Sequence, residues 1–177
     1  MYPFVRMAKE MRRAERMNPI ALGDTHVSYH ICWPQDLDIW LELNNGRSLT
    51  LMDLGRIPMA ARTGIVSVAK AHGWGFAVAG AVTRYRRRVR LFQRIRMHSR
   101  YVGWDARFFY CEQAMYRRDG ECAHHGLFRI AVTSKAGIVP TAEVTAAAGF
   151  DGVSPPLPGW VAGWSQAESE RPWPPEI

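Results

Sequence analysis

Trp33-Pro34-Gln35-Asp36-Leu37-Asp38-Ile39-Trp40-Leu41-Glu42-Leu43-Asn44-Asn45-Gly46-Arg47 is the stretch on which the reading of this chain turns. Pro34 stops the strand that precedes it, and Asn44-Asn45-Gly46 opens a helix with side chains able to accept from its first amides. Asp36 and Asp38 therefore fall in an irregular segment just before a helix start. The first N–H groups of that helix have no intrahelical acceptor and carry the positive end of its dipole. Such amides can hold a developing oxyanion while a nearby carboxylate attacks a carbonyl or activates water. Spacing alone leaves a plainer reading open, in which Asp38 caps or pairs with a neighbour and Asn44 and Asn45 only cap the helix.

Upstream, Thr25 to Trp33 alternates with β-branched or aromatic residues and reads as a strand. Downstream, Arg47 to about Arg56 carries Leu49, Leu51, Met52 and Leu54 on nearly all sides, the pattern of a helix buried by its surroundings. Pro58 suits the first turn of a continuation, Gly64 interrupts it, and a last helical piece reaches about His72-Gly73. The rest of the domain reads as strands: Trp74 to Tyr85, Val89 to Val102, Arg107 to Arg117 with a turn at Arg118-Asp119-Gly120, and Leu127 to Lys135 with a turn at Ala136-Gly137. The expected order is one strand, one long helix and a four-strand meander, an α+β arrangement. Residues 1–18 form an amphipathic basic helix, residues 19–150 the domain, and residues 151–177 a Pro-rich extension with a short helix near Trp160 to Ala167. One helix cannot cover a five-stranded sheet, so pairing two subunits edge to edge is expected, giving a homodimer or a tetramer of paired dimers.

The 177 residues are 47% hydrophobic and 22% charged, which is ordinary for a globular domain. No apolar run is long enough for a polytopic membrane protein, and three separated cysteines exclude a disulfide scaffold. Those cysteines suit a reducing cytoplasm, and the charged N-terminal residues lack a signal-peptide core, so a cytoplasmic location is expected. The net charge of +7 is concentrated. Eight arginines lie between Arg84 and Arg100 with no acid among them. On alternation, Arg90, Arg94, Arg96, His98 and Arg100 share one face opposite Leu91, Ile95 and Met97. Three readings are open for that face: a solvated outer sheet surface, a site for a phosphorylated small molecule, and nucleic acid with Phe92 and Tyr101 as stacking groups. Residues 1–16 also leave open a peripheral contact with an anionic membrane. GxSxG, Walker, HExxH and GxGxxG motifs are absent. His26, His30 and Cys32 alternate on a strand without a complete ligand set, and no metal is expected.

The quoted stretch resembles the D-x-D…H-[VM]-N-N-x-x-Y-L signature of hotdog-fold thioesterases of the 4-hydroxybenzoyl-CoA type, through Asp36, Asp38, Asn44, Asn45, Gly46, Arg47, Leu49 and Asp53. Tyr85-Arg86-Arg87-Arg88-Val89-Arg90-Leu91-Phe92 and Tyr101 through Gln113 resemble that superfamily's member 6 branch, and the likeness runs from about residue 20 to 165. It implies a hotdog fold, with a five-stranded antiparallel sheet wrapped around one long central helix, and dimers binding acyl thioesters at their interface. It also implies hydrolysis of an acyl-CoA or acyl-carrier thioester with no cofactor beyond the coenzyme A of the substrate. Asp38 matches the nucleophile or general base, and Asn45 and Gly46 fall near the amides that polarise the carbonyl. Asp53 matches the helix acid of another subgroup, although pairing with Arg56 or Arg47 is an equal reading. Asp36, Glu42, Asn44, Arg47 and the Arg86-Arg87-Arg88 turn complete the expected substrate contacts. Two departures stand out: Glu42 replaces the usual His and Ser48 the usual Tyr. A carboxylate at 42 places a second negative charge near Asp38, an arrangement that raises carboxylate pKa values. Two non-enzymatic readings therefore stand beside hydrolysis: an acyl-CoA- or lipid-binding hotdog protein, and a basic module for nucleic acid or a membrane surface.

Overall fold

A computed structural model describes residues 2–175. Helix α1 (Phe4–Ala14) leads to strand β1 (His26–Ile31) and a single 3-10 turn at Pro34–Asp36. Helix α2 (Asn45–Arg62) follows, then α3 (Ile65–Ala71), β2 (Gly75–Tyr85), β3 (Arg94–Trp104), β4 (Phe109–Tyr116), β5 (Cys122–Ser134) and β6 (Gly137–Val139). Helices α4 (Thr141–Ala147) and α5 (Gly159–Glu170) close the chain. All strand pairings are antiparallel, in the order β1-β3-β4-β5-β2, with the short β6 on β5. Among the described residues no helix is long and apolar enough to cross a membrane.

The architecture is α+β, and three sequence expectations change in detail. The four strands after the helix do not form a meander. β3, β4 and β5 do, but β2 skips its neighbour and pairs with β5, leaving β2 and β1 as the two edges. The helix after Asn44 runs unbroken through Pro58 to Arg62 rather than restarting there. The segment Val89 to Gln93 is no strand: Gln93 N–H closes a turn onto the Arg90 carbonyl, so the outer-face alternation begins only at Arg94. Helix α4 is an addition that the sequence reading did not contain.

Helix α2 packs on β1, β3 and β4. Leu51, Met52, Leu54 and Met59 are fully buried with Ile95, Met97, Phe109 and Met115. The approach is closest at Gly55, where an added Cβ would lie 2.6 Å from Ser99 Oγ and 2.7 Å from Met97 Sδ. Beneath it, the Gln113 side chain is buried and donates to the Met52 carbonyl at 2.9 Å and to Ser99 Oγ at 2.7 Å. Arg56 Nη1 donates to Gln113 Oε1 at 3.1 Å, so the amide is engaged at both ends.

The sheet's other face is not left to solvent. Val102, Phe108, Tyr110, Leu127 and Ala131 form a second apolar cluster capped by Val161 of α5, with Leu157 and Trp164 against it. The Tyr110 hydroxyl lies 2.6 Å from Ser165 Oγ, and the Arg129 guanidinium stacks over Phe108 at 4.6 Å. The Pro-rich extension is thus a packed cover over the sheet, and its helix is longer than the Trp160–Ala167 piece read from sequence. Residues 176 and 177 of that extension lie outside the described residues. The N-terminal helix also packs on the domain, against α2. Arg6 donates to Asp36 Oδ2 at 2.7 Å and to the Ile31 carbonyl at 3.0 Å.

Two stability predictions follow from this packing. At an exposed helical site, replacing glycine by a residue with a Cβ gains helix propensity. Gly55→Val instead drives three carbons into Ser99 and Met97, and should cost about 1–3 kcal/mol, read as a lower urea midpoint at unchanged m-value. The second concerns His26 and His30, both buried on β1. Burial, reinforced by Arg62 and Arg13, lowers the His26 pKa to about 4. Burial, with Arg6 next, lowers that of His30 to about 3. Both values lie below the unfolded value of about 6.5, so their contribution is complete above that pH and is lost as pH falls toward the folded values. Unfolding free energy should be flat above about pH 7.5 and decline below about pH 6.5, by up to about 1.4 kcal/mol per unit for each histidine. A profile that stays flat down to about pH 4.5, before carboxylates titrate, would refute this.

Candidate active site

The start of α2 is fixed from three sides. Asn44 is its N-cap, accepting from Arg47 N–H at 3.1 Å, so Asn45 and Gly46 contribute the first helical amides. Asn44 N–H in turn donates to the Asp36 carbonyl at 2.9 Å. The Asp36 side chain is fully buried. Its Oδ2 accepts from Arg6 at 2.7 Å and from Trp33 N–H at 3.1 Å, while Oδ1 accepts from Arg47 Nη2 at 2.7 Å. Burial alone would push its pKa up; the Arg47 fork, the Trp33 amide and Arg6 together outweigh burial and hold it below the usual carboxylate range. Asp36 is therefore the clamp that joins α1, the loop and α2, and both its oxygens are occupied.

Asp38 sits half-buried two residues on, at the head of a tight turn. Its N–H donates to the Glu42 carbonyl at 2.8 Å, and its Oδ1 accepts from Trp40 N–H at 2.8 Å and Glu42 N–H at 3.4 Å. Glu42, where the resembling family has His, is met by Arg88 Nε at 2.9 Å.

A cleft of about 200 Å³ opens at this end of α2, lined by Glu42, Asn45, Tyr85, His124 and the Arg86–Arg88 turn. The Tyr85 hydroxyl donates to the Asn45 carbonyl at 3.3 Å, and its ring meets His124 edge-on at 5.0 Å. On their other side Arg86, Arg87 and Arg88 join Arg90 and Arg117 around an open hollow of about 420 Å³. Arg87 also pairs with Glu121 at 2.9 Å. Further along α2 a mainly apolar groove of about 280 Å³ is lined by Asp53, Ile57, Phe76, Val78, Tyr101 and Ile130. Tyr85, at the end of β2, lines the cleft with Asn45, and Phe76 and Val78, near its start, line the groove with Ile57, so the cleft and the groove lie on one seam between α2 and β2. Asp53 in that groove pairs with Arg56, and burial together with the Asp53 carboxylate raises the pKa of Tyr2 to about 12.

The structure therefore brings Asn45, Glu42 and Arg86–Arg88 into one cleft, sets Asp38 on the turn before it, and places Asp53 in a separate groove. Gly46 follows Asn45 in the first helical turn, and an added Cβ there would lie 3.3 Å from Asn44 Oδ1. Of the strand arginines, Arg94, Arg96 and Arg100 are exposed on the outer face. Arg100 pairs with Glu112 at 2.7 Å and Arg96 lies 5.5 Å over Tyr116, and neither lines the cleft.

One pair was not legible in the sequence. Ser48 Oγ, buried on α2, lies 2.9 Å from His124 Nδ1 on β5 and 3.2 Å from the Asn44 carbonyl. Burial lowers the His124 pKa, so the ring is neutral near pH 7 and either Ser48 or the ring nitrogen can be the donor. The pair spans the chain from position 48 to 124, and no local motif marks it. Among the described residues no group of three or more His, Cys, Asp or Glu is placed to hold a metal ion. His26 accepts from Arg62 at 2.9 Å and His30 bonds Ser28 at 2.8 Å.

With this geometry the chain can be set beside known proteins. The family model described as Thioesterase-like superfamily matches residues 32–164. Protein THEM6 of Xenopus laevis is 33% identical over 112 residues, 62% of this chain and 54% of that protein. Protein THEM6 of Drosophila melanogaster is 31% identical over 91 residues, 51% of this chain and 47% of that protein. The chain thus spans about half the length of the curated relatives it matches. Among solved structures, a DHNA-CoA thioesterase from Staphylococcus aureus superposes with a TM-score of 0.61 at 10% identity, over 82% of this chain and 91% of that one. Slr0204, a 1,4-dihydroxy-2-naphthoyl-CoA thioesterase from Synechocystis, gives 0.61 at 8% identity, over 71% and 95%. SAV2348 from Staphylococcus aureus, solved in complex with CoA, gives 0.60 at 7% identity, over 75% and 85%. These likenesses establish the hotdog fold, and the match over three quarters of its residues places the chain in the thioesterase-like superfamily.

Proposed function

We propose that the protein hydrolyses acyl thioesters of coenzyme A, or of a carrier with the same phosphopantetheine arm, without a further cofactor. The observation that carries this reading is the α2–β2 seam, which offers a polar, arginine-lined cleft at the helix start and an apolar groove beyond it. That division suits a substrate with an anionic head and an apolar acyl group. In the proposed reaction the thioester carbonyl oxygen faces the amides of Asn45 and Gly46. Asp38, released from its turn amides, takes a proton from water as the oxygen attacks the carbonyl carbon. The helix amides hold the resulting oxyanion, the C–S bond breaks, and the thiolate leaves and is protonated. Arg86, Arg87 and Arg88 hold the phosphates, because guanidinium forks match phosphate oxygens. Asp53 is the second candidate base, once freed from Arg56.

The proposal includes a homodimer. β2 is an eleven-residue edge strand with its residues exposed or half-buried along its length, Phe76, Val78, Val82 and Tyr85 among them. Pairing it with a second β2 would satisfy its open edge and roof the seam. One observation favours a second reading, an acyl-CoA-binding protein without turnover: Asp38, Glu42 and Asp53 each have their carboxylates engaged within the chain.

Thiol release from a panel of aliphatic and aromatic acyl-CoAs decides between the two. Under the hydrolase reading, Asp38→Asn lowers kcat by about 100-fold or more, while Arg86→Ala raises KM with kcat little changed. Tight acyl-CoA binding with no thiol release, in wild type and in Glu42→His alike, establishes the binding reading instead.

A further inference from the structure

The turn that carries Asp38 presents a feature that thioester chemistry does not use. Ile39, Trp40 and Leu41 are 85%, 74% and 71% exposed, three consecutive large apolar side chains standing out from the body. A lone exposed leucine is unremarkable, but a run of three large apolar side chains this exposed is not. The turn is rigidly mounted by the Asp38–Glu42 hydrogen bonds and by Leu43 N–H donating to the Val89 carbonyl at 2.7 Å. Beside it, Phe92 N–H donates to the Cys32 carbonyl at 2.8 Å, which holds Leu91 and Phe92 at the same end of the sheet, also exposed. Leu41 and Phe92 have φ of 58° and 59°, a left-handed conformation that residues with a Cβ adopt only at a cost. In both, the backbone is bent so that an apolar side chain faces out.

This apolar tip is ringed by positive charge. Arg90 and Arg94 flank Phe92 in the chain and are exposed. Arg94 and Arg118 border an open hollow of about 510 Å³ whose wall includes Phe92. Of the acids nearest this rim, Asp119 is matched by Arg117, Glu42 by Arg88 and Asp36 by Arg6 and Arg47, while the Asp38 carboxylate is taken up by the Trp40 and Glu42 amides of its own turn. Nucleic acid would call for a groove in which bases stack, not a projecting aliphatic turn. Trp and Phe beside aliphatic side chains, with arginines behind them, match the layering of an anionic bilayer: acyl boundary, interface and headgroup phosphates.

We propose that the 38–42 turn and the 90–94 turn together form a docking surface for an anionic lipid bilayer, with Ile39, Trp40, Leu41 and Phe92 entering the interface and Arg90, Arg94 and Arg118 contacting headgroup phosphates. The surface lies at the end of the molecule where the α2 cleft opens, and its docking requires no turnover at Asp38. Failure of hydrolysis and failure of docking are therefore separable results.

The test is co-sedimentation of the full chain with phosphatidylcholine vesicles, alone or with about 30% phosphatidylglycerol, at about 0.1 M salt. Binding to the anionic vesicles and not to the neutral ones is expected. Ile39→Ser/Trp40→Ser/Leu41→Asn, which alters only exposed side chains, should weaken that binding by about tenfold or more. Arg90→Gln and Arg94→Gln should each weaken it about fivefold. Quenching of tryptophan fluorescence by brominated anionic vesicles should drop in Trp40→Phe. Absence of wild-type binding, equal binding to neutral vesicles, or full binding by the triple variant overturns the proposal. So does a triple variant whose mass by light scattering falls to that of a smaller oligomer, since the tip is then an interface between copies of this chain.

Discussion

Gln113 is the fixed point of the molecule. Its side chain is buried under α2, where an unsatisfied amide would cost about 1–3 kcal/mol. Satisfying it requires the Met52 carbonyl, Ser99 and Arg56 at once, and those come from the helix and from a neighbouring strand. They reach it only because position 55 has no side chain to hold α2 away from the sheet. Apolar contacts alone would tolerate a helix slid or rotated by part of a turn; a shared amide with several partners does not. With α2 locked in register, Asn45 is delivered to Tyr85 at one end of the seam and Asp53 to the apolar groove further along.

Much of this was legible in the chain, and the failures have identifiable causes. The alternation of β1, the cap at Asn44 and the exposed arginine face from Arg94 are local patterns, and local patterns are what a sequence displays. The start of β3 was misplaced because Val89 to Gln93 continues the apolar–basic alternation while folding back through a turn at Arg90. Pro58 suggested a break, but a helix already held by tertiary packing absorbs one missing N–H. The strand order was beyond reach, because whether β2 pairs with β3 or β5 depends on what α2 must be enclosed by.

The site divides along the same line. Asp36 drew attention as one of two carboxylates before a helix, and it is a structural clamp, with two guanidinium groups that arrive from positions 6 and 47. Glu42, read as an added negative charge, is offset by Arg88 across the loop pairing. Both pairings join residues distant in sequence, as does the contact between Ser48 and His124. The arginine-rich middle, a single block in the sequence, separates in space. Arg86 to Arg88 border the cleft, Arg90 rims the apolar tip with Arg94 as the block enters β3, and Arg96 and Arg100 face outward from that strand.

The pairing of β2 with β5 also sets an order of events during synthesis. β2 is made before the four strands that follow it, yet its partner within the chain comes only after β3 and β4 have both been completed. Gly75 must wait for Thr133, and Tyr85 for His124. Until then a strand with Phe76, Val78 and Val82 along it has both edges open. β3, β4 and β5 can zip up through short hairpins in sequence, so docking of β2 on β5, like that of β1 on β3, is a long-range closure of the sheet. A nascent chain of this topology therefore carries an apolar strand unpaired until β5 has been made, and crowding of ribosomes on one message would bring such strands together.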